Sequence, residues 1–223
     1  MVDHRPPAAE TEVELWLMRL DIDAEAVGQV RGLLSGDDRQ RAGRFRFPRD
    51  AARFVFGRGS LRMILGARLN VDPARLGLVY DAHGKPELAE PFDREGLCSN
   101  LSHSEDMAIC AVARGRRIGS DIERVRPLAD WEAIAERTFP LQETRALRGL
   151  PEAERLEAFF TCWTWYEARI KASSEPLDRA RDLASSDGWT PRTLRPEPGY
   201  LAAVAVEGPI SRLVCRAWPP GRA

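Results

Sequence analysis

Asp121 and Glu123 stand two apart in Ile118-Gly119-Ser120-Asp121-Ile122-Glu123, and Glu167 and Lys171 stand four apart in Trp163-Thr164-Trp165-Tyr166-Glu167-Ala168-Arg169-Ile170-Lys171. The first segment reads as a strand, where a spacing of two puts both carboxylates on one face. The second reads as a helix, where a spacing of four puts Glu167 and Lys171 on one face. If strand and helix pack together, three carboxylates and one ammonium converge. Such a group suits a hard divalent cation and a phosphate-rich ligand. Spacing alone also permits a plainer arrangement. Asp121 and Glu123 would then face water at a strand end, and Glu167 would pair with Lys171 as on many helices.

The helix favours the first arrangement. Phe159, Trp163, Tyr166 and Ile170 form a stripe suited to the core. Phe160, Thr164, Glu167 and Lys171 form the adjacent stripe, so Glu167 and Lys171 border the core. Elsewhere the periodicity predicts strands over Glu12–Leu20, Leu76–Tyr80, Leu97–Ser102, Met107–Ala113 and Ile118–Glu123, and later near Thr193, over Tyr200–Val206 and over Leu213–Ala217. Helices are predicted over Ala24–Leu34, Gly36–Phe47, Asp50–Leu69, Asp130–Thr138, Gln142–Leu147 and from Pro151 to about Ala172. Each half of the chain puts a long helix before a run of strands. Each ends a strand with a similar phrase, Ile109-Cys110-Ala111-Val112-Ala113-Arg114-Gly115 and Ala202-Ala203-Val204-Ala205-Val206-Glu207-Gly208. A duplication would give two α+β halves, 1–116 and 117–223, with a cleft between them, a common place for a ligand.

The composition excludes several classes. The 223 residues carry a formal net charge of -1, which argues against a dedicated nucleic-acid binder and a polybasic membrane anchor. No apolar run is long enough to span a bilayer, and Met1-Val2-Asp3-His4-Arg5-Pro6-Pro7 has no apolar signal core. The four cysteines show no Cys-x-x-Cys spacing, so buried thiols are expected rather than a zinc site or disulfides. The expectation is a cytoplasmic globular protein. Of 33 Lys and Arg residues, only Lys85 and Lys171 are lysine. Lysine offers a compact point charge where arginine offers a planar fork, which directs attention to those two positions.

Three further segments bear on a phosphate-rich ligand. In Asn100-Leu101-Ser102-His103-Ser104, at a strand end, Ser102 and His103 could donate to phosphate oxygens. In the turn His83-Gly84-Lys85-Pro86, the glycine permits close backbone approach and the lysine could meet a phosphate. Arg39, Arg41, Arg44, Arg46, Arg49, Arg53, Arg58 and Arg62 make a basic stretch suited to phosphate monoesters, although a solvated helix face would explain most of them.

Taken in order, these segments resemble the Sfp-type 4′-phosphopantetheinyl transferases. The resemblance rests on Arg44-Phe45 through Arg53 with Arg62, on Gly84-Lys85-Pro86, on Asn100-x-Ser102-His103, on Gly119-x-Asp121-x-Glu123, and on Trp163-Thr164-x-x-Glu167-Ala168-x-x-Lys171. Gly199-Tyr200 and the small apolar residues after it look like the family's late strand. The resemblance implies an α+β fold, a pseudo-dimer of two similar halves with the active site at their junction. It implies transfer of the phosphopantetheine arm of coenzyme A to a serine of an apo acyl or peptidyl carrier protein, releasing adenosine 3′,5′-bisphosphate. The carriers would belong to polyketide, nonribosomal peptide or fatty acid synthases, and the enzyme would act as a monomer. It further implies that Asp121, Glu123 and Glu167 hold Mg2+, that Glu167 is also the base for the carrier serine, and that Lys171 neutralises the reacting phosphate. Ser102 and His103 would face the pyrophosphate. Arg49, Arg53 and Lys85 would meet the nucleotide end of coenzyme A, with Gly84 and Pro86 shaping the adenine pocket.

Two positions depart from the family pattern. Tyr166 stands where the family usually has lysine, and Ser173-Ser174-Glu175-Pro176-Leu177 replaces a glycine-bearing loop. These departures motivate an alternative, a non-catalytic module of the same fold that binds coenzyme A or a carrier protein.

Overall fold

The computed structural model describes residues 12–81, 84–173 and 188–218. Two similar units follow one another. In the first, β1 (Glu12–Arg19) leads through α1 (Ala24–Arg31) and α2 (Gly36–Ala42) to α3 (Pro48–Leu69). A short hairpin, β2 (Leu78–Tyr80) and β3 (Pro86–Leu88), precedes β4 (Leu97–Ser104) and β5 (Met107–Arg114). In the second, β6 (Ile118–Arg124) leads through α4 (Trp131–Thr138) and α5 (Leu141–Gly149) to α6 (Glu152–Ser173), then to β7 (Trp189–Leu194) and β8 (Tyr200–Glu207). The two antiparallel sheets run β1-β5-β4 and β6-β8-β7, so β1 matches β6, α3 matches α6, and β5 matches β8. The α+β duplication expected from the sequence is thus present in the topology. One strand breaks the correspondence. β9 (Arg212–Trp218) crosses to the first sheet and pairs in parallel with β1, Glu12 opposite Arg212.

The central strands explain the layering. β5 (MAICAVAR) is buried over all but its last residue, as is β8 (YLAAVAVE). Strands covered on both faces read as continuous apolar runs. The inner faces of the two sheets meet each other. Val13, Leu15, Ile109 and Ala111 of the first pack with Ile118, Ile122, Ala202 and Val204 of the second. α1 and α3 cover the outer face of the first sheet, through residues such as Val30, Leu61 and Leu65 against Met18 and Cys110. α6 covers the outer face of the second through Ala168 and Ala172 against Ala203 and Ala205.

Local chemistry sets the element ends. Asp23 and Ser35 accept main-chain N–H groups and start α1 and α2. The single helix expected over Gly36–Phe47 stops at Ala42, with Gly43 as its cap. Phe47 is then extended, as the residue before Pro48 is sterically biased to be. Pro48 opens α3 and Asn70, in the left-handed region, closes it. Among the described residues, no helix is long and apolar enough to cross a membrane, and all four cysteines are free.

Two contacts seat β6 between the halves. On one side, Asn100 Oδ1 of β4 accepts the Ser120 amide at 2.8 Å and the Ser120 hydroxyl at 3.1 Å. A side chain thereby supplies what a neighbouring strand's carbonyl would. On the other side, Gly119 lies directly on the backbone of α6. A Cβ there would fall on the Ala168 carbonyl oxygen and the Ala172 amide, and 2.9 Å from the Lys171 carbonyl carbon. Backbone atoms cannot yield as a flexible side chain can. Gly119→Ala is therefore expected to destabilise the protein by about 1–3 kcal/mol or more and to lower the melting temperature well beyond the effect of Gly149→Ala, where an added Cβ meets nothing within 4 Å. Equal melting temperatures for the two variants would contradict this seat.

Candidate active site at the junction of the halves

β6 alternates as expected. Ile118 and Ile122 enter the core between the sheets. Gly119, Asp121 and Glu123 face the side where α6 lies. α6 then presents Glu167 and Lys171, four apart, to that side. The expected convergence occurs, but the pairing differs from a simple helical ion pair. Lys171 Nζ lies 2.6 Å from Asp121 Oδ1 and 3.8 Å from Glu167 Oε2. It also donates to Ser102 Oγ at 3.2 Å, while Ser102 Oγ donates to Asp121 Oδ1 at 2.9 Å. Thus β4, β6 and α6 meet through one closed triangle of side chains. Asp121 is almost fully buried, and its Oδ2 has no hydrogen-bond partner. Glu123 accepts from Ser104 Oγ at 2.7 Å and faces Arg126 at 3.7 Å.

The electrostatics follow from burial. Removal from water pushes the Glu167 carboxyl above its usual range; Lys171 pulls it back, and Asp121 and Glu123 push it up again. Glu123 is raised by burial and by Asp121, against the Ser104 hydrogen bond. Asp121 is raised by burial against Lys171 and Ser102. One buried and two half-buried carboxylates around one ammonium leave negative charge uncompensated. Among the described residues, no three carboxylate, imidazole or thiol side chains stand at a spacing that would already cage a metal ion. The donor chemistry nevertheless suits a hard cation, since all the donors are oxygens and Asp121 Oδ2 is unsatisfied.

Of these residues Glu167 and Lys171 border a cleft of about 470 Å³ whose walls come from both halves, while Asp121 and Glu123 are not part of its wall. α6 contributes Glu167, Ile170 and Lys171. β4 contributes Asn100, Leu101 and His103, with His103 exposed to the cleft. The turn before β3 contributes Gly84, Lys85 and Pro86, and α2 and α3 contribute Arg41, Arg53, Phe54 and Arg58. Gly84 takes a φ of +80°, a left-handed conformation that glycine adopts without strain. Lys85 is half-buried; burial lowers its pKa, and its Nζ donates to Lys171 O at 2.8 Å and Ile118 O at 3.2 Å.

Some expected residues stand elsewhere. The Arg49 side chain is 72% exposed, pairs with Asp50 at 3.8 Å, and is not part of the cleft wall. Ser102 is buried behind the wall, where it joins Asp121 to Lys171. His83 and the segment Ser174-Glu175-Pro176-Leu177 lie outside the described residues. Two arginines of the basic stretch are not solvated. Arg58 and Arg62 are buried around Asp38, which also accepts from the Tyr80 hydroxyl. The sequence held a signal for this, because Phe54, Arg58 and Arg62 succeed one another at spacings of four on the flank of an apolar helix face.

Tyr166 points away from the cleft. Its ring stacks on Phe139 with centroids 5.0 Å apart, and its hydroxyl donates to Glu143 Oε1 of α5 at 3.0 Å. One helical step from Glu167 turns a side chain by about 100°, which suffices to send it into the core beneath α6.

Comparison with known proteins bears on this site directly. Residues 117–203 match the model of the 4′-phosphopantetheinyl transferase superfamily, and residues 24–114 match that of the 4′-phosphopantetheinyl transferase N-terminal region. The 4′-phosphopantetheinyl transferase HetI of Nostoc sp. is 38% identical over 209 residues, 88% of each chain. The chain belongs to the 4′-phosphopantetheinyl transferase superfamily. Sfp of Bacillus subtilis is 27% identical over 192 residues, 83% of each chain. The L-aminoadipate-semialdehyde dehydrogenase-phosphopantetheinyl transferase of Xenopus laevis is 29% identical over 144 residues, 61% of this chain and 48% of that one. The Tyr166 side chain lies beneath the helix and not in the cleft.

Two outcomes follow from this geometry. Tyr166→Phe should lower stability by about 1 kcal/mol, because Glu143 loses its hydroxyl donor, and should leave the kinetic constants of the enzyme unchanged; a large fall in turnover with an intact fold would place Tyr166 in the chemistry after all. Glu167, with a raised folded-state pKa, contributes stability below the ordinary carboxylate range and loses that contribution as pH rises through the raised value. Glu167→Gln should therefore gain melting temperature relative to wild type on going from mildly acidic to mildly alkaline buffer. A difference that is flat or of opposite sign would show that Glu167 is not held at raised pKa.

Proposed function

We propose that the chain transfers the 4′-phosphopantetheine arm of coenzyme A to a serine of an apo acyl or peptidyl carrier protein, releasing adenosine 3′,5′-bisphosphate. The supporting observation is the single cleft that sets Glu167, Lys171 and His103 at one part of its wall and Arg41, Arg53 and the Gly84-Lys85-Pro86 turn at another. A pyrophosphate bridging the two halves, with a nucleotide on the arginine side, accounts for both groups.

In this reading the carrier serine oxygen attacks the phosphorus that bears the pantetheine arm. The bond from that phosphorus to the bridging oxygen breaks, and the nucleotide leaves with the electron pair. Glu167 takes the serine proton, directly or through water; its raised pKa suits it to hold one. Lys171 and His103 offer N–H donors to the phosphate oxygens as charge shifts between them. Phosphoryl transfer depends on alignment and charge neutralisation more than on covalent catalysis, and Ser102 and Asp121 fix the Lys171 ammonium in place. Asp121, Glu123 and Glu167 would hold Mg2+, with Asp121 Oδ2 free to accept it. When bound, the ion would neutralise charge on the pyrophosphate. Arg53 and Arg41 would meet the nucleotide's phosphate, and Gly84 and Pro86 would border the adenine. Arg49 would act from outside the cleft wall.

Both walls belong to one chain, so a monomer completes the site. The acceptors would be apo carriers of polyketide, nonribosomal peptide or fatty acid synthases, and the reaction would run in the cytoplasm. The non-catalytic alternative drew on Tyr166 and on the segment Ser173-Ser174-Glu175-Pro176-Leu177; the Tyr166 side chain leaves the cleft's charges as they are, and residues 174–177 lie outside the described residues.

The test is to incubate the protein with coenzyme A, Mg2+ and a panel of apo carrier proteins and to record intact masses. A phosphopantetheine adduct on at least one carrier is expected. Glu167→Gln should abolish the adduct while remaining folded. No adduct on any carrier, or normal turnover by Glu167→Gln, would overturn the proposal.

A further inference from the structure

The Lys85 ammonium is committed to main-chain carbonyls. Its Nζ donates to the Lys171 carbonyl at 2.8 Å, 86 residues away in sequence, and to the Ile118 carbonyl at 3.2 Å, 33 residues away. One side chain thus ties the turn before β3, in the first half, to β6 and to the last turn of α6 in the second. We propose that Lys85 is a positioning residue, a clip that fixes the end of α6 on β6 and thereby sets Lys171, rather than a ligand for a coenzyme A phosphate. This rests on the phosphopantetheinyl-transfer reading of the site.

Four observations support the clip. The Lys171 carbonyl lies toward the C-terminal end of α6 (Glu152–Ser173), the negative end of the helix dipole. An ammonium is the group such an end favours. Next, Gly119 brings β6 onto the α6 backbone at Lys171 and Ala172, so the carbonyl of its neighbour Ile118 and that of Lys171 open toward the same donor. Third, the turn that delivers Lys85 is itself braced. Asp81 Oδ1 accepts the Lys85 amide at 2.8 Å, the Asp81 amide donates to Lys85 O at 3.0 Å, and the Gly84 amide donates to Asp81 O at 3.0 Å. Fourth, burial lowers the Lys85 pKa, as expected for an ammonium withdrawn from solvent.

The clip also accounts for one of the two lysines in a chain that otherwise uses arginine. A planar guanidinium needs in-plane acceptors for its fork, whereas a compact ammonium can enter between two carbonyls. Lys171 is then held at both ends, its carbonyl by Lys85 and its ammonium by Asp121 and Ser102. Loosening the carbonyl end would displace the ammonium from the reacting phosphate, and misplacement of that kind lowers turnover without weakening the nucleotide's own contacts.

The experiment uses Lys85→Met, which keeps the stem and removes the donors, with coenzyme A and dephospho-coenzyme A as alternative substrates. The clip predicts that kcat falls on the order of 10–100-fold, equally with both substrates, while KM for coenzyme A stays near wild type. A rise in KM for coenzyme A that vanishes with dephospho-coenzyme A would make Lys85 a 3′-phosphate ligand and overturn the proposal. Lys85→Arg is the second variant, should Lys85→Met fail to fold. A phosphate ligand would tolerate arginine, whereas the clip predicts a loss of kcat. Hydrogen exchange of α6 residues 167–173, measured without substrate, should quicken in the variant, and unchanged protection would also overturn the clip. This readout needs no transfer activity, so a wild-type protein that modifies no carrier would refute the proposed reaction without deciding the role of Lys85.

Discussion

The site depends on the contact of β6 with the backbone of α6 at Gly119. A strand and a helix usually keep their side chains between them. Here the Cβ is missing at one point, and the two main chains come together. That approach puts the strand's carboxylates and the helix's Glu167 and Lys171 within reach of one another. The duplicated half uses its equivalent strand differently: β1 carries Val13, Leu15 and Leu17 into the core between the sheets, and its outward Glu12 and Glu14 are each met by an arginine, Arg212 of β9 and Arg68 of α3. Duplication supplied the scaffold, and the second copy alone carries the acidic site.

The carboxylates make the same region electrostatically uneven. Asp121 is paired with Lys171 and Ser102, yet one of its oxygens is left without a donor. Glu123 leans on Ser104 and on the more exposed Arg126. Across the cleft the first half offers the opposite charge. Arg58 is buried, and its guanidinium lies over the rings of Phe54 and Tyr80. The Asp38 carboxylate holds that assembly together. Burial alone would raise its pKa, but the Tyr80 hydroxyl and the Arg58 and Arg62 guanidiniums overcome this and lower it. A ligand with an anionic bridge near one wall and an anionic tail near the other would meet both environments at once.

Alternation and helical periodicity made most elements legible, because β5, β8, α3 and α6 each have strong apolar patterns. The face shared by Asp121 and Glu123 followed from period two, and its meeting with Glu167 and Lys171 followed from the motif order. The partner of Lys85 did not. A side chain reaching main-chain carbonyls leaves no trace in residue type at the accepting end. The same limit hid the role of Asn100, which serves a strand edge from the side. β3 escaped because a three-residue strand beginning with proline carries no pattern. Tyr166 was legible as a core residue from its stripe with Phe159, and family comparison made it look like a lost charge; the stripe was the better guide.

β9 closes the first sheet from far along the chain. Glu12 and Arg212 are paired 200 residues apart, and β1 forms its outer ladder only with that strand. During synthesis, β1 can find β5 early but has an open edge until β9 has emerged. Loop-closure entropy opposes that last pairing, and an unpaired edge is a template for wrong partners. Once formed, the pairing runs back across the acidic half to the first, so the two halves are clasped by the chain's own path. The nucleotide wall and the acidic wall of the cleft cannot part widely without stripping a strand from a sheet.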